Sequence, residues 1–366
     1  MKINLNSKLF NAPIAIVLLV LPFVIDALFG HGWVRITDFA LLYIMLALGL
    51  NIVVGYAGLL DLGYIAFYAV GAYTYALLSS PQFGLHWPMY VVLPLGALVA
   101  CGFGVLLGAP TLKLRGDYLA IVTLGFGEII RIFLNNLNAP VNITNGPQGI
   151  TGIDPLRIGS FSFDGSYEWM GVRVDDVHLH YYLFLAFTLL VIIVSRRLED
   201  SRIGRAWVAI REDEVAASAM GINTRNIKLL AFAMGATFGG ISGGLFAGFQ
   251  GFVSPESFSL MESIMVLCMV VLGGMGNVGG VVLGGVLLVA LPELFRNAAG
   301  PVQQALLGKV IVDPESLRML MFGLALILVM LWRPAGLWPS TQRRREFAVD
   351  EDVAKQEQET VYGAGK

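Results

Sequence analysis

Ten mostly apolar runs punctuate this 366-residue chain, at roughly 11–29, 38–54, 58–78, 88–110, 117–134, 179–195, 227–250, 258–273, 278–296 and 316–332. An α-helix rises about 1.5 Å per residue, so some 20 such residues cross the ~30 Å hydrocarbon layer of a bilayer. So many runs point to an all-α fold: a polytopic membrane helix bundle of about ten transmembrane helices. Composition agrees. Charged residues are 14% of the chain, against about 25% in soluble domains, too few to cover a water-facing surface of this size. An ordinary soluble enzyme is thereby excluded, and a net charge of −2 argues against a basic nucleic-acid face. Cys101 and Cys268 lie within apolar runs and are expected to be small core residues.

Lys2 and Lys8 precede the first run in the manner of a signal peptide, but Asp26-Ala27-Leu28-Phe29 offers no small-residue cleavage site, so the run is expected to be retained as a span. Basic residues set orientation. With both termini inside, inner segments hold seventeen of the twenty-four Lys and Arg and outer segments six. The segment 135–178, with five acids against Arg157 and Arg173, belongs outside as a periplasmic loop, and 196–226 inside. The chain therefore divides into a transmembrane domain, 1–340, and a charged tail, 341–366, expected to be disordered.

Glycine is patterned. Gly239, Gly240, Gly243 and Gly244, with Gly235 and Gly248, form overlapping small-xxx-small rows, which let helices approach closely where lipid supplies no hydrophobic drive. Gly276, Gly280 and Gly284 repeat the spacing. Two glycine-broken stretches, Gly55–Gly63 and Gly273–Gly280, lie in different halves. Broken helices in both halves point to a transport path between two pseudo-repeats, against a plainer reading as tight turns. Candidate path residues are Gly58, Asp61, Gly63, Glu128, Gly274, Gly276 and Asn277. Two carry a structural alternative. Asp61 suits an N-cap for the helix after the break, and Glu128 suits an ion pair with Arg131 three residues on. Ser259 and Glu262 have capping-box spacing, and Asp313-Pro314 resembles a helix start. His31, His86, His178 and His180 have no metal-ligand spacing, and no metal site is expected.

The inner segment 203–221 reads as a short helix. Ile203, Trp207, Ile210 and Ala217 share one face, leaving Arg211, Glu212 and Glu214 for a partner. Three acids interrupt its polar face, which favours a protein groove over a lipid surface.

This segment resembles the coupling loop of ABC importer permeases. Gly204, Arg205, Arg211, Glu212, Glu214, Ala216, Ala217 and Gly221 are its candidate ATPase-coupling residues. Glu214, Ala216, Ala217 and Gly221 stand near the family's EAA–Gly pattern, with Val215 inserted. More specifically, Gly55–Tyr73, Leu112–Arg131, Asn145–Ile153 and Ser254–Gly285 together resemble LivM-type branched-chain amino acid permeases. The resemblance implies a homologous LivH-type permease partner, two cytosolic ATPase subunits and a periplasmic substrate-binding protein, in a bacterial inner membrane. Arg157 and Arg173 are candidates for docking the binding protein.

No phosphate-cradling G-x-x-x-x-G-K-[ST] segment occurs; Gly308-Lys309 lacks the earlier glycine. The chain is expected to bind no cofactor and do no chemistry, with ATP and Mg used by partner subunits. The expected mechanism is alternating access, pushed through 203–221, along a path of small and apolar residues. The alternatives are a urea or short-chain amide permease of the same superfamily and an ion-coupled transporter using Asp61, Glu128 and Glu262. A membrane enzyme lacks any nucleophile–base pair or metal cluster in the sequence.

Overall fold

The apolar runs fold into helices whose inward faces bury one another and whose outward faces stay apolar. In the computed structural model the described residues are 5–307, apart from 112, 113, 115, 170 and 171, together with 320, 323, 324, 327, 331–333 and 336–339. The helices are α1 (Leu5–Phe29), α2 (His31–Asn51), α3 (Ile65–Leu78), α4 (Met89–Thr111), α5 (Asp117–Asn136), α6 (Asp176–Glu199), α7 (Arg202–Glu212), α8 (Glu214–Ala219), α9 (Thr224–Gln250), α10 (Leu260–Gly273) and α11 (Val278–Leu307). All but α7 and α8 fall on expected spans. The tenth run, 316–332, lies largely outside the described residues, and Asp313-Pro314 and the tail 341–366 lie wholly outside them.

Two boundaries differ from the sequence reading. Residues 58–64 are not helical, and α3 begins at Ile65. Helix α11 continues to Leu307, through residues expected to form an outer loop. Helices α3 and α10 have 14 residues each. That is about 21 Å, short of the hydrocarbon thickness, so irregular chain shares the crossing. Backbone at that depth must be enclosed by protein.

Helix α9 is the hub, packing most extensively on α4 and α3 and also on α2. A Cβ on Gly243 would strike the backbone of Tyr68 and Ala72 in α3, while one on Gly240 would meet Ala100 and Gly96 of α4. Gly239 lies against Phe67 and Tyr64, and Gly244 against Leu93. The two glycine rows thus serve two different neighbours, and backbones approach closely on both sides. Opposite faces of α4 and α5 leave Leu98, Leu106, Ile121, Ile129 and Phe133 exposed, as lipid-facing positions do.

The loop between α5 and α6 holds short antiparallel ribbons: β2 (Arg157–Ile158) with β3 (Phe161–Ser162), and β4 (Tyr167–Trp169) with β5 (Val172–Val174). Its β1 (Ile150–Thr151) pairs with β6 (Phe252–Val253) after α9, in the register Ile150↔Val253 and Thr151↔Phe252. His86 Nδ1 and Asp154 Oδ2, 2.7 Å apart, tie in the loop after α3. Connections 79–88, 135–175 and 251–259 therefore gather at one end of the bundle. The opposite end collects the two glycine breaks and α7–α8.

Candidate functional site

The first break follows a switch in helix pitch. Helix α2 ends in one π-helical turn, Ile52–Tyr56, and the chain then leaves helical geometry through Gly58 at φ +69°. Five of its backbone amides have identified partners. Ala57 and Leu59 donate to Ile52 and Val53 carbonyls at 3.2 and 2.9 Å. Leu62 N–H donates to Thr123 Oγ1 of α5 (3.0 Å), Gly63 N–H to Asp61 Oδ1 (2.9 Å), and Ile65 N–H to Ser263 Oγ of α10 (3.1 Å). This accounting is what allows irregular backbone to be buried. Gly63 is packed so closely on the Thr123 carbonyl that no Cβ fits.

Asp61 therefore does not cap α3. It lies four residues ahead of it, at 1% exposure, closing a local turn with one oxygen while Oδ2 has no hydrogen-bond partner. The acceptor that a cap would have supplied comes from another helix, as Ser263 Oγ.

The second break is largely self-contained. Gly274 and Gly276 take φ of +122° and +77°, and Asn277 Oδ1 accepts from Gly279 and Gly280 N–H (2.9 and 3.4 Å), capping α11. Residues 337 and 338 donate backbone N–H to Leu272 and Gly273 carbonyls at 2.8 and 2.9 Å. Gly276 belongs to this turn. Gly280 and Gly284 form the helical part of the row, packed on Gly273 and Met269.

The two breaks meet. Buried Asn51, at the end of α2, accepts the Gly276 N–H at Oδ1 (2.8 Å), and a Cβ on Gly55 would lie 2.6 Å from that same nitrogen. Asn51 was not singled out from the sequence; an amide deep in an apolar run was the available signal.

The 203–221 segment is two helices. Asp213, at φ −152° and ψ 109°, breaks it and caps α8 by accepting from Val215 and Ala216 N–H (2.8 and 3.0 Å). Ser201 caps α7 in the same manner through Ile203 and Gly204 N–H. Trp207 is fully buried and donates Nε1–H to the Ile227 carbonyl of α9 (2.7 Å). Gly204 sits against the Leu198 and Glu199 carbonyls, so it fastens α7 to α6 and is not surface for a partner. Arg211 also turns inward. Its Nη1–H donates to the Gly55 carbonyl (2.8 Å), and its aliphatic stem fills the space beside Gly58. Glu214 accepts from buried Lys228 of α9 (2.6 Å). The expectation that Arg211 and Glu214 face outward is corrected: an exposed charge needs no partner, but these two approach buried polar groups that do.

What α8 presents outward is Val215 and Met220, 67% and 72% exposed, with Ala216 between them and Ala217 buried. Glu212 is half exposed, 3.9 Å from Arg211, and Arg205 donates to the Asp200 carbonyl (2.9 Å). Gly221 closes the segment at φ +89°, a left-handed conformation suited to glycine.

Elsewhere, Arg131 bridges Glu128 (3.0 Å) and Glu256 (3.4 Å), so Glu128 sits in an ion-pair cluster apart from Asp61. Glu262 accepts from Tyr43 O–H (2.6 Å), and Ser259 makes no side-chain cap, so the capping box does not form. Arg157 and Arg173 are exposed and pair locally with Asp154 (3.5 Å) and Asp175 (2.9 Å).

The family model for the branched-chain amino acid transport system permease component matches residues 33–330. The chain is 43% identical, over 97% of its length and 80% of the relative's, to the high-affinity branched-chain amino acid transport permease LivM of Escherichia coli K12. It is 29% identical to a probable LivM of Methanocaldococcus jannaschii, covering 74% of each chain, and 25% identical to LivH of Salmonella typhimurium, covering 81% of this chain and 90% of that one. No solved structure matches. With α3–α11, both breaks and the 203–221 segment inside the matched region, this chain belongs to the family of branched-chain amino acid transport permease components.

Proposed function

We propose that this chain is the LivM-type half of an ABC importer's membrane channel, passing leucine, isoleucine or valine by alternating access while separate ATPase subunits supply the work. The observation that carries the reading is the Arg211–Gly55 hydrogen bond. It joins a short helix pair at one end of the bundle to the break in α2, so a push on α7–α8 reaches the broken-helix core through a few angstroms of hydrogen-bonded chain.

The outward face of α8, with Val215, Ala216 and Met220, suits a shallow groove on a cytosolic ATPase. Each of two ATPases would hold ATP and Mg, one against this chain and one against its LivH-type partner. This places α7–α8 and both breaks inside, and the β1–β6 ribbon with Arg157 and Arg173 outside, where a periplasmic binding protein docks. The excess of basic residues on the α7–α8 side supports that orientation. Because the cargo side chain is apolar, the path needs no countercharge for it and is lined by small and apolar residues.

The test is uptake of labelled leucine into sealed vesicles containing this chain with or without its partner permease, ATPases and binding protein. Uptake is expected only in the complete set with ATP. Accumulation by the chain alone, driven by an ion gradient, overturns the reading.

A further inference from the structure

At the end of the bundle that carries the β ribbons, three residues far apart in sequence converge. Asp26 comes from the last turn of α1, His31 from the first turn of α2 and His178 from the first turn of α6. His31 Nδ1 lies 3.1 Å from Asp26 Oδ1, and His178 Nε2 lies 3.5 Å from Asp26 Oδ2. One donor atom from each residue is within 4.8 Å of the other two. Donors about 2.1 Å from a tetrahedral zinc stand about 3.4 Å from one another, so small side-chain rotations bring all three onto one ion.

We infer that Asp26, His31 and His178 form a binding site for a divalent transition ion of the zinc type. Two further observations point to a ligand. His178 is 1% exposed, and neither of its ring nitrogens has a hydrogen-bond partner, a costly state for buried imidazole that a metal bond relieves. Phe23 stacks on the ring at 4.8 Å between centroids and fixes its plane. The second is the far side of His31. Its Nε2 lies 3.7 Å from Asp175 Oδ2, close enough that a small rotation of the imidazole onto an ion would complete the carboxylate–histidine–metal arrangement that sets the tautomer and raises ligand basicity. Asp175 is itself held by Arg173 at 2.9 Å. His31 is 60% exposed and borders an open cavity of about 440 Å³, which admits the ion and leaves a coordination position for water. Two imidazoles and a carboxylate favour zinc, cobalt or nickel over magnesium and calcium, which take oxygen ligands. The ion would clamp α1 to α2 and α6.

The experiment uses the full chain, purified without a polyhistidine tag and titrated with Zn²⁺ and with Co²⁺ as a spectroscopic probe. One ion per chain is expected, at micromolar or lower dissociation constant, with the visible bands of low-coordinate cobalt and displacement by zinc but not by excess Mg²⁺ or Ca²⁺. His31→Gln, at an exposed position that does not endanger folding, and His178→Gln each weaken binding at least tenfold, and Asp175→Asn about tenfold. His86→Gln, at a distant surface pair, leaves it unchanged. No saturable binding, or binding that survives His31→Gln, overturns the site and shows a metal-free ion-pair cluster.

Discussion

The two glycine breaks solve one problem in different ways. At the second, Asn277 caps its own helix and residues 337 and 338 donate to the Leu272 and Gly273 carbonyls, while the Gly276 N–H reaches Asn51 of α2. At the first, the irregular stretch leans on other parts of the fold: Leu62 N–H on Thr123 of α5, Ile65 N–H on Ser263 of α10 and the Gly55 carbonyl on Arg211 of α7, with Gly63 N–H held by Asp61. A break held from outside moves when its holders move; one that holds itself is a fixed anchor. Under the proposed function Gly55–Gly63 is the stretch expected to move, and Asn51 joins it to the second break through Gly276.

The contrast breaks most visibly at glycine. Gly63→Ala drives a methyl into the Thr123 carbonyl, whereas Gly279 has only ordinary contacts, the nearest at 3.5 Å. Gly63→Ala is expected to cost about 3 kcal/mol and to abolish accumulation of folded chain, whereas Gly279→Ala, inside α11, is expected to be neutral or to stabilise by up to about 1 kcal/mol. Thermal unfolding in detergent measures both, and equal effects erase the distinction between the breaks.

Arg211→Ala is expected to leave the assembled complex hydrolysing ATP while leucine uptake falls at least tenfold, because the push no longer reaches Gly55. Uptake and hydrolysis falling together would mean that Arg211 supports folding and not transmission. Asn51→Ala removes the acceptor for a buried Gly276 N–H and should destabilise by about 1–3 kcal/mol, read as a lowered unfolding temperature. The smallest effect is at Glu128, whose pair with Arg131 is one-third exposed. Glu128→Gln should change stability by about 1 kcal/mol or less and leave uptake intact; loss of uptake at normal expression would restore a path-lining role.

Much was legible in the chain. Among the described residues nine helices lie on apolar runs, the glycine rows mark close contacts of α9 with α3 and α4, and the 203–221 segment is helical at the bundle's end, because periodicity and small-residue spacing are local properties of sequence. The errors came where a side chain had a choice of partners. Asp61 and Glu262 carry capping spacings, yet Ser263 and Tyr43, 198 positions or more from the groups they bond, decided the outcome. Arg211 and Glu214 look solvent-directed until Gly55 and Lys228 are placed beside them. No spacing joins Asp26, His31 and His178.

Sequence alone determined that this chain is a membrane helix bundle, where it breaks, and which family it belongs to, because desolvating backbone in lipid dictates long apolar helices and excess Arg and Lys mark one side. Only the tertiary structure decided which break is tied to α7–α8 and which histidines share a carboxylate. Those are contacts between residues distant along the chain, and a buried polar atom takes whichever partner the packing brings within about 3 Å.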